Sequence, residues 1–292
     1  MTPTIAATMT ALVENLDADL TSELRLLIAQ ARHALPTLPD PVDFSASAYR
    51  WSNGQLQPIH VIRSLHLTDL LGIERQKTLL LGNTRQFLAG LPANDILMTG
   101  ARGTGKSSLI RAVLTDLANE GLRVIEVSRE DLKDIAAIQA AVGHRPEKYL
   151  IFCDDLAFNA EDDSYRALKS ALDGSLASGK GNTLIYATSN RRHLLPEFMH
   201  ENLPVARPDA EYYREIHPQE SVEEKVSLSD RFGLWLPFHS MDQDLYLSIV
   251  SHWIGKSGMT LDEACRAEAI KWALTRGQRS GRSAAQFARN WV

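Results

Sequence analysis

Eight residues, GARGTGKS at 100–107, fit the spacing G-x-x-x-x-G-K-[ST]. Glycines at 100, 103 and 105 let the backbone turn its amide N–H groups toward phosphate oxygens in conformations that a side chain would obstruct. Lys106 supplies a flexible positive charge for the β- and γ-phosphates, and Ser107 a hydroxyl ligand for Mg²⁺. A helix starting near Lys106 adds the partial positive charge of its N-terminus. The expected phosphate-binding set is therefore Gly100, Ala101, Arg102, Gly103, Thr104, Gly105, Lys106, Ser107 and Ser108.

A second stretch, YLIFCDDLAF at 149–158, drives an apolar run into two adjacent carboxylates. Alone, such a pair reads equally well as a solvated loop. Behind a phosphate loop it gains a partner, because ligands of doubly wound sheets sit beyond the carboxyl ends of the strands. Asp154 is then expected to hold Mg²⁺ through its water shell, which makes Ser107 and Asp154 the metal-directed pair. Asp155 is expected to orient and polarise a water for in-line attack on the γ-phosphate and to accept its proton.

Positioning these groups requires strands that end together. Short apolar runs at 95–100, 122–128, 148–154, 182–189 and 233–238 alternate with helical patterns, the signature of a parallel sheet with crossover helices. The expected architecture is α/β: a five-stranded parallel sheet flanked by helices. Beyond Pro237 three helices are expected, broken near 255–258 and 277–281, as a C-terminal lid. Leu12, Leu16, Leu20, Leu24 and Leu27 recur at helical steps, so an amphipathic helix is expected over 8–34, ended by LPTLPDP. The corresponding domain boundaries are 1–64 for an N-terminal helical extension, 65–239 for the nucleotide-binding domain and 240–292 for the lid.

Composition excludes other classes. The 292 residues are 44% hydrophobic and 23% charged, enough for a sizeable core. A net charge of -5 argues against an overall electrostatic footprint for nucleic acid, leaving only a local basic face. The arginines of the tail lack an interleaved aromatic platform in the sequence. The two cysteines have neither metal-ligand spacing nor a disulfide framework, and no stretch reaches membrane-spanning length, so a cytoplasmic protein without membrane contact is expected. Cys153 should be an inert core thiol. The nine histidines form no H-x-x-x-H pair, against a zinc site.

In order, GARGTGKS, YLIFCDD, YATSN and SDRFGLW resemble Walker A, Walker B, sensor 1 and the arginine-bearing box of the AAA+ ATPases. Longer strings such as LLGIERQKTLLLGNTRQFLAG and CDDLAFNAEDDSYRALKSALDG are similar to a bacterial AAA+ family catalogued as a domain of unknown function. The resemblance covers about 65–292. It implies ATP as the nucleotide, Asn190 as sensor 1, Arg231 as a finger acting on a neighbouring subunit, and Arg282 as sensor 2 in the lid. Arg279 is a rival for sensor 2, and Arg191 and Arg192 are rivals for the trans-acting role. Leu71, Gly72 and Ile73 fall where the adenine is met, although an ordinary helix start would look the same.

The resemblance further implies a homo-oligomer working on a protein or nucleic-acid partner. One departure stands out: AAA+ enzymes mostly carry Asp-Glu where this chain carries Asp-Asp, shortening the second carboxylate by about 1.5 Å. Slow hydrolysis and unimpaired hydrolysis with a shifted water are both consistent with it. Two other readings therefore stand beside an ATP-hydrolysing machine: a nucleotide-gated switch or loader, and a P-loop small-molecule kinase.

Overall fold

The five apolar runs each form a strand of one sheet, in the computed structural model, which describes residues 42–61, 64–158, 163–173, 181–190 and 228–291. The chain divides between Val42 and Asp43, and the described elements all belong to the second part. The helix expected over 8–34 lies outside the described residues.

Two strands come first, β1 (Ala48–Ser52) and β2 (Gln55–Ile59), followed by α1 (Glu74–Leu88), β3 (Ile96–Gly100), α2 (Lys106–Leu117) and β4 (Leu122–Glu126). Then come α3 (Ile135–Val142), β5 (Lys148–Cys153), α4 (Asp163–Asp173), β6 (Thr183–Ser189) and β7 (Leu234–Phe238). The sheet order is β2-β1-β4-β5-β6-β3-β7, parallel throughout except for the β1–β2 pair.

The sheet thus has seven strands rather than the expected five. The two extra strands come from residues assigned to a helical extension. They form a hairpin whose turn residues, Asn53 and Gly54, have φ of 53° and 74°, as a tight two-residue turn requires. Tyr49 and Trp51 are buried while Arg50 between them is exposed, and β1 extends the sheet beyond β4.

Continuous apolar runs become strands covered on both faces. All seven residues of β6 are buried, as are five of the six in β5. Leu109, Ile110, Val113, Leu114 and Leu117 of α2 form one stripe against Ile96, Met98, Leu150 and Leu184. Each such side chain stabilises the fold by about 1.5–3 kcal/mol on burial. On α1, the Asn83 amide donates to the Tyr186 hydroxyl at 2.9 Å and Thr84 meets the same hydroxyl at 2.9 Å, which fixes that helix across β6. Burial pushes the Tyr186 phenol up to about 12, so it stays neutral.

The register places Cys153 beside Ala187 and Thr99 beside Ser189, so β3, β5 and β6 end along one rim. The lid follows as α5 (Gln243–Gly255), α6 (Glu263–Thr275) and α7 (Gly281–Trp291). Its breaks fall where the glycines predict them. Asp242 and Asp262 cap α5 and α6, each accepting a backbone N–H at 2.8 Å. Its core joins Tyr246, Val250 and Ile254 to small residues such as Cys265, Ala269 and Ala284. No described helix is long and apolar enough to cross a membrane.

Candidate functional site

The loop after β3 is shaped by what lies against it. At Gly100 (φ 139°) an added Cβ would sit 2.0 Å from the Phe238 carbonyl oxygen of β7. At Gly103 (φ 77°) it would sit 2.7 Å from Cβ of Ser280, in the loop leading into α7. The first glycine lets the loop leave the sheet, and the second lets the lid touch it. The Thr104 hydroxyl closes the turn by donating to the Ala101 carbonyl at 2.9 Å.

Lys106 opens α2 with its side chain turned into the loop and only 6% of the residue exposed. Its ammonium donates to the carbonyls of Gly100 (2.6 Å) and Ala101 (2.9 Å) and to Asn190 Oδ1 (2.9 Å). Burial draws its pKa below the ordinary lysine value, while Asp154 and Asp155 pull the other way.

Asp154 accepts from Ser107 Oγ at 2.6 Å and from Thr188 Oγ1 at 2.5 Å. Asp155 leaves strand geometry, with φ at 56°. That left-handed conformation is uncommon for a residue with a side chain, though Asp tolerates it better than most. Consecutive strand side chains point to opposite faces, yet both carboxylates line one cavity, because the chain turns at Asp155. Its N–H donates to Thr188 Oγ1 at 2.9 Å, its Oδ1 accepts from Asn190 Nδ2 at 2.5 Å, and its Oδ2 lies 3.4 Å from the Arg102 guanidinium.

Among the described residues no group of three or more His, Cys, Asp or Glu could cage a metal ion. One carboxylate and one hydroxyl, both hard oxygen donors, instead suit Mg²⁺, which keeps most of its water and shares phosphate oxygens.

The cavity these groups line measures about 540 Å³, within the range of small-molecule sites. Arg102, Lys106, Arg111, Lys256, Arg282 and Arg289 face it with Asp69, Asp154 and Asp155, so positive side chains outnumber negative ones. Leu65, Leu70, Ile73, Ile249 and Trp253 add apolar lining. A polyanion carrying a flat apolar group matches that combination.

Polar bonds join the lid to the core at two places. In one, Gly281 N–H donates to the Gly103 carbonyl at 2.9 Å and Gln278 Nε2 to the Arg102 carbonyl at 2.5 Å. In the other, buried Asp69 meets His252 at 3.1 Å and Lys256, both on α5. Burial alone would raise the Asp69 carboxyl, but the bonds from Lys256, His252 and the His66 N–H outweigh it and hold the carboxyl below its usual range. Asp116 of α2 ties the same turn down, accepting from Leu67 N–H at 3.2 Å and pairing with the His66 ring at 2.8 Å.

The structure gathers Arg102 through Ser108, Asp154, Asp155, Asn190, Ile73 and Arg282 around one cavity. Gly100 and Ala101 stand behind it, facing Lys106 with their carbonyls. Gly72 does not line it. Its backbone (φ 74°) lies where an added Cβ would come within 2.5 Å of Leu245 Cδ2, so this glycine admits the lid. Arg231 also lies away from the cavity, with its Nε 2.5 Å from Asp173 Oδ1 of α4. Arg279 does not line it either and stands 3.4 Å from Gln243 Oε1. Arg191 and Arg192 fall outside the described residues.

Three contributors escaped the sequence reading. Thr188, two residues before Asn190 and so on the same strand face, carried a usable signal. Asp69 and Lys256 carried none, since they meet only through the tertiary fold. The tail also has aromatic company its sequence did not reveal. Trp272, Phe287 and Trp291 form a row, with the Arg276 guanidinium 3.9 Å from the Trp272 ring centroid.

Sheet, loop and lid together are the AAA+ P-loop fold. Thermotoga maritima RuvB, a Holliday junction branch migration motor, superposes with a TM-score of 0.52 at 18% identity over 77% of this chain and 63% of that one. A point variant of the same protein gives 0.51 at 18% identity over 78% and 65%. The chain therefore spans less than two thirds of the length of those structures. Residues 44–292 match the family described as Protein of unknown function (DUF815), and the chain belongs to that family. Comparison with curated proteins finds no match.

Proposed function

We propose that this protein binds ATP with Mg²⁺ in the rim cavity and hydrolyses it. The observation that carries the reading is the convergence of Lys106, the Ser107–Asp154 pair and the Asp155–Asn190 pair on one cavity.

The loop amides and the α2 N-terminus receive the β- and γ-phosphates, and the Lys106 ammonium exchanges a carbonyl for a phosphate oxygen. Ser107 and Asp154 would hold Mg²⁺, which would supply positive charge to offset that of the phosphate oxygens. Asn190 and Asp155 place a water in line with the γ-phosphorus. As the water oxygen bonds to that phosphorus, its proton passes to Asp155. The bond from phosphorus to the bridging oxygen breaks with its electron pair leaving on ADP, and the proton is returned to solvent or product. Arg282 and the lid report which nucleotide is present.

Arg231 acts on a neighbouring subunit's site in a homo-oligomer, offsetting charge on the transferring phosphoryl group, and the cycle does work on a protein or nucleic-acid partner. One observation favours a second reading, a nucleotide-gated switch with negligible turnover: the second carboxylate belongs to an Asp, one methylene shorter than Glu, at position 155.

Phosphate release measured against protein concentration tests the reading. Turnover per subunit that rises with concentration, and is lost in Arg231→Ala without loss of ATP binding, is the expected result. Tight ATP binding with no turnover at any concentration would favour the switch.

A further inference from the structure

Arg102 stands at a loop position where the motif imposes no residue type. Its side chain is 72% exposed, yet its guanidinium rests 3.4 Å from Asp155 Oδ2. Asp155 is thereby held on three sides: Arg102 at Oδ2, Asn190 at Oδ1, and Thr188 at the backbone N–H. A carboxylate turns freely about its last bond unless both oxygens are pinned. With Asn190 and Arg102 on opposite oxygens its plane is set, and each oxygen keeps a lone pair for a further donor.

The other end of Arg102 is also fixed. Its carbonyl accepts from Gln278 of the lid at 2.5 Å, and the next carbonyl, of Gly103, accepts from Gly281 at 2.9 Å. One residue therefore connects the seat of the lid, through its main chain, with the second carboxylate, through its side chain. An exposed ion pair adds little to stability, so the consequence of this pair lies in geometry.

We propose that Arg102 is a positioning residue for Asp155, through which the seating of the lid sets the orientation of the carboxylate that takes the proton from water. The inference rests on the hydrolytic reading above. A lid lifted from the loop releases the Arg102 main chain, the guanidinium loses its purchase on Oδ2, and the carboxylate turns out of line. A lid seated on the loop restores it. Turnover is thereby confined to the closed lid, at a site where an Asp shorter than Glu has little freedom to spare.

Steady-state phosphate release is measured for wild type, Arg102→Ala, Arg102→Lys, Gln278→Ala and Lys106→Ala, with circular dichroism and thermal melts to show that each variant is folded, and with binding of a fluorescent ATP analogue to the Arg102 and Gln278 variants. Arg102→Ala should lower kcat by about tenfold or more, because small misplacements of a reacting group are costly, while the KM for ATP stays within about twofold. Arg102→Lys should recover part of the loss, and Gln278→Ala should show a smaller fall in kcat. In an Asp155→Asn background, Arg102→Ala should have no further effect.

A KM that rises with kcat unchanged would make Arg102 a simple phosphate contact and overturn the proposal. An unchanged or raised kcat would overturn it too, and an unaffected Gln278→Ala would remove the lid from it. If Lys106→Ala abolishes turnover in the same series, the hydrolytic reading stands whatever Arg102 does. Wild type without turnover, or turnover surviving Lys106→Ala, would instead overturn that reading.

Discussion

The sheet rim and the three-helix lid face the same cavity, but they are built on different scales. Behind the rim stand strands buried on both faces, packed with Ile, Leu, Met and Tyr side chains that are almost wholly enclosed. The lid encloses a smaller core in which Cys265, Ala269, Ala273 and Ala284 take positions that larger residues fill in the sheet. Its polar attachment beside the cavity is a few bonds, Asp69 to Lys256 and His252, Gln278 to Arg102, and Gly281 to Gly103, beside the apolar packing of Leu71 on its core. Asp154, Asp155 and Asn190 thus follow directly on enclosed strands, while the lid is joined to the rim by polar contacts worth about 1 kcal/mol each, or somewhat more where a charge is involved. On the proposed reading the strand ends stay in place while the lid moves, and only the Asp155 side chain, through Arg102, follows it.

Removing the Asp69 joint should give the largest contrast between the two regions. Asp69→Ala is expected to lower the protection of α5–α7 amides by about 2 kcal/mol, roughly thirtyfold faster hydrogen exchange, with amides of β3, β5 and β6 unchanged. Equal acceleration in both regions would show that lid and sheet open as one unit. The same joint has a pH signature. Because the folded state holds the Asp69 carboxyl below its unfolded value, its stabilisation is complete above the ordinary carboxylate pKa of about 3.9 and is lost as pH falls through the lowered folded value. Lid protection, relative to the intrinsic exchange rate at each pH, should therefore fall selectively in acid, and in Asp69→Ala that selective fall should vanish.

On the rigid side, Thr188→Val removes the hydroxyl that donates to the Asp154 carboxylate and accepts from the Asp155 backbone N–H, and nearly keeps the side-chain shape. It should cut kcat by about tenfold or more, since two hydrogen bonds are lost and roughly 1.4 kcal/mol of transition-state stabilisation is already a factor of ten, with lid exchange unaltered. A change in lid exchange instead would move Thr188 to the other side of the comparison. The smallest effect belongs to Cys153. It is fully buried, and burial pushes its thiol well up, so native protein should resist alkylation there at neutral pH. Ready labelling would mean that the strand carrying the carboxylates opens as easily as the lid.

Legibility in the sequence follows the same division. The five parallel strands, the loop, the carboxylate pair and Asn190 are each written in a short local pattern: an apolar run, a glycine spacing, a polar residue at a strand end. The lid helices are legible from their glycine breaks. The β1–β2 hairpin also carried a local signal, Asn53-Gly54 between Trp51 and Leu56, but Pro58 and the short flanking runs mask the alternation. The lid joints have no local trace at all. Asp69 and His252 are 183 residues apart, Arg102 and Gln278 176, and their pairing depends on where the fold brings the lid. Gly72 shows the limit from another direction, since its position suggested a nucleotide contact while its neighbour in space is Leu245.

Whether the rim cavity is a hydrolytic ATP site is decided by phosphate release from wild type beside Lys106→Ala, each with Mg²⁺ present and with Mg²⁺ chelated. Turnover in wild type that needs Mg²⁺ and falls at least a hundredfold in Lys106→Ala is the predicted result. Turnover that survives either the substitution or the chelator would place the chemistry elsewhere and contradict the account.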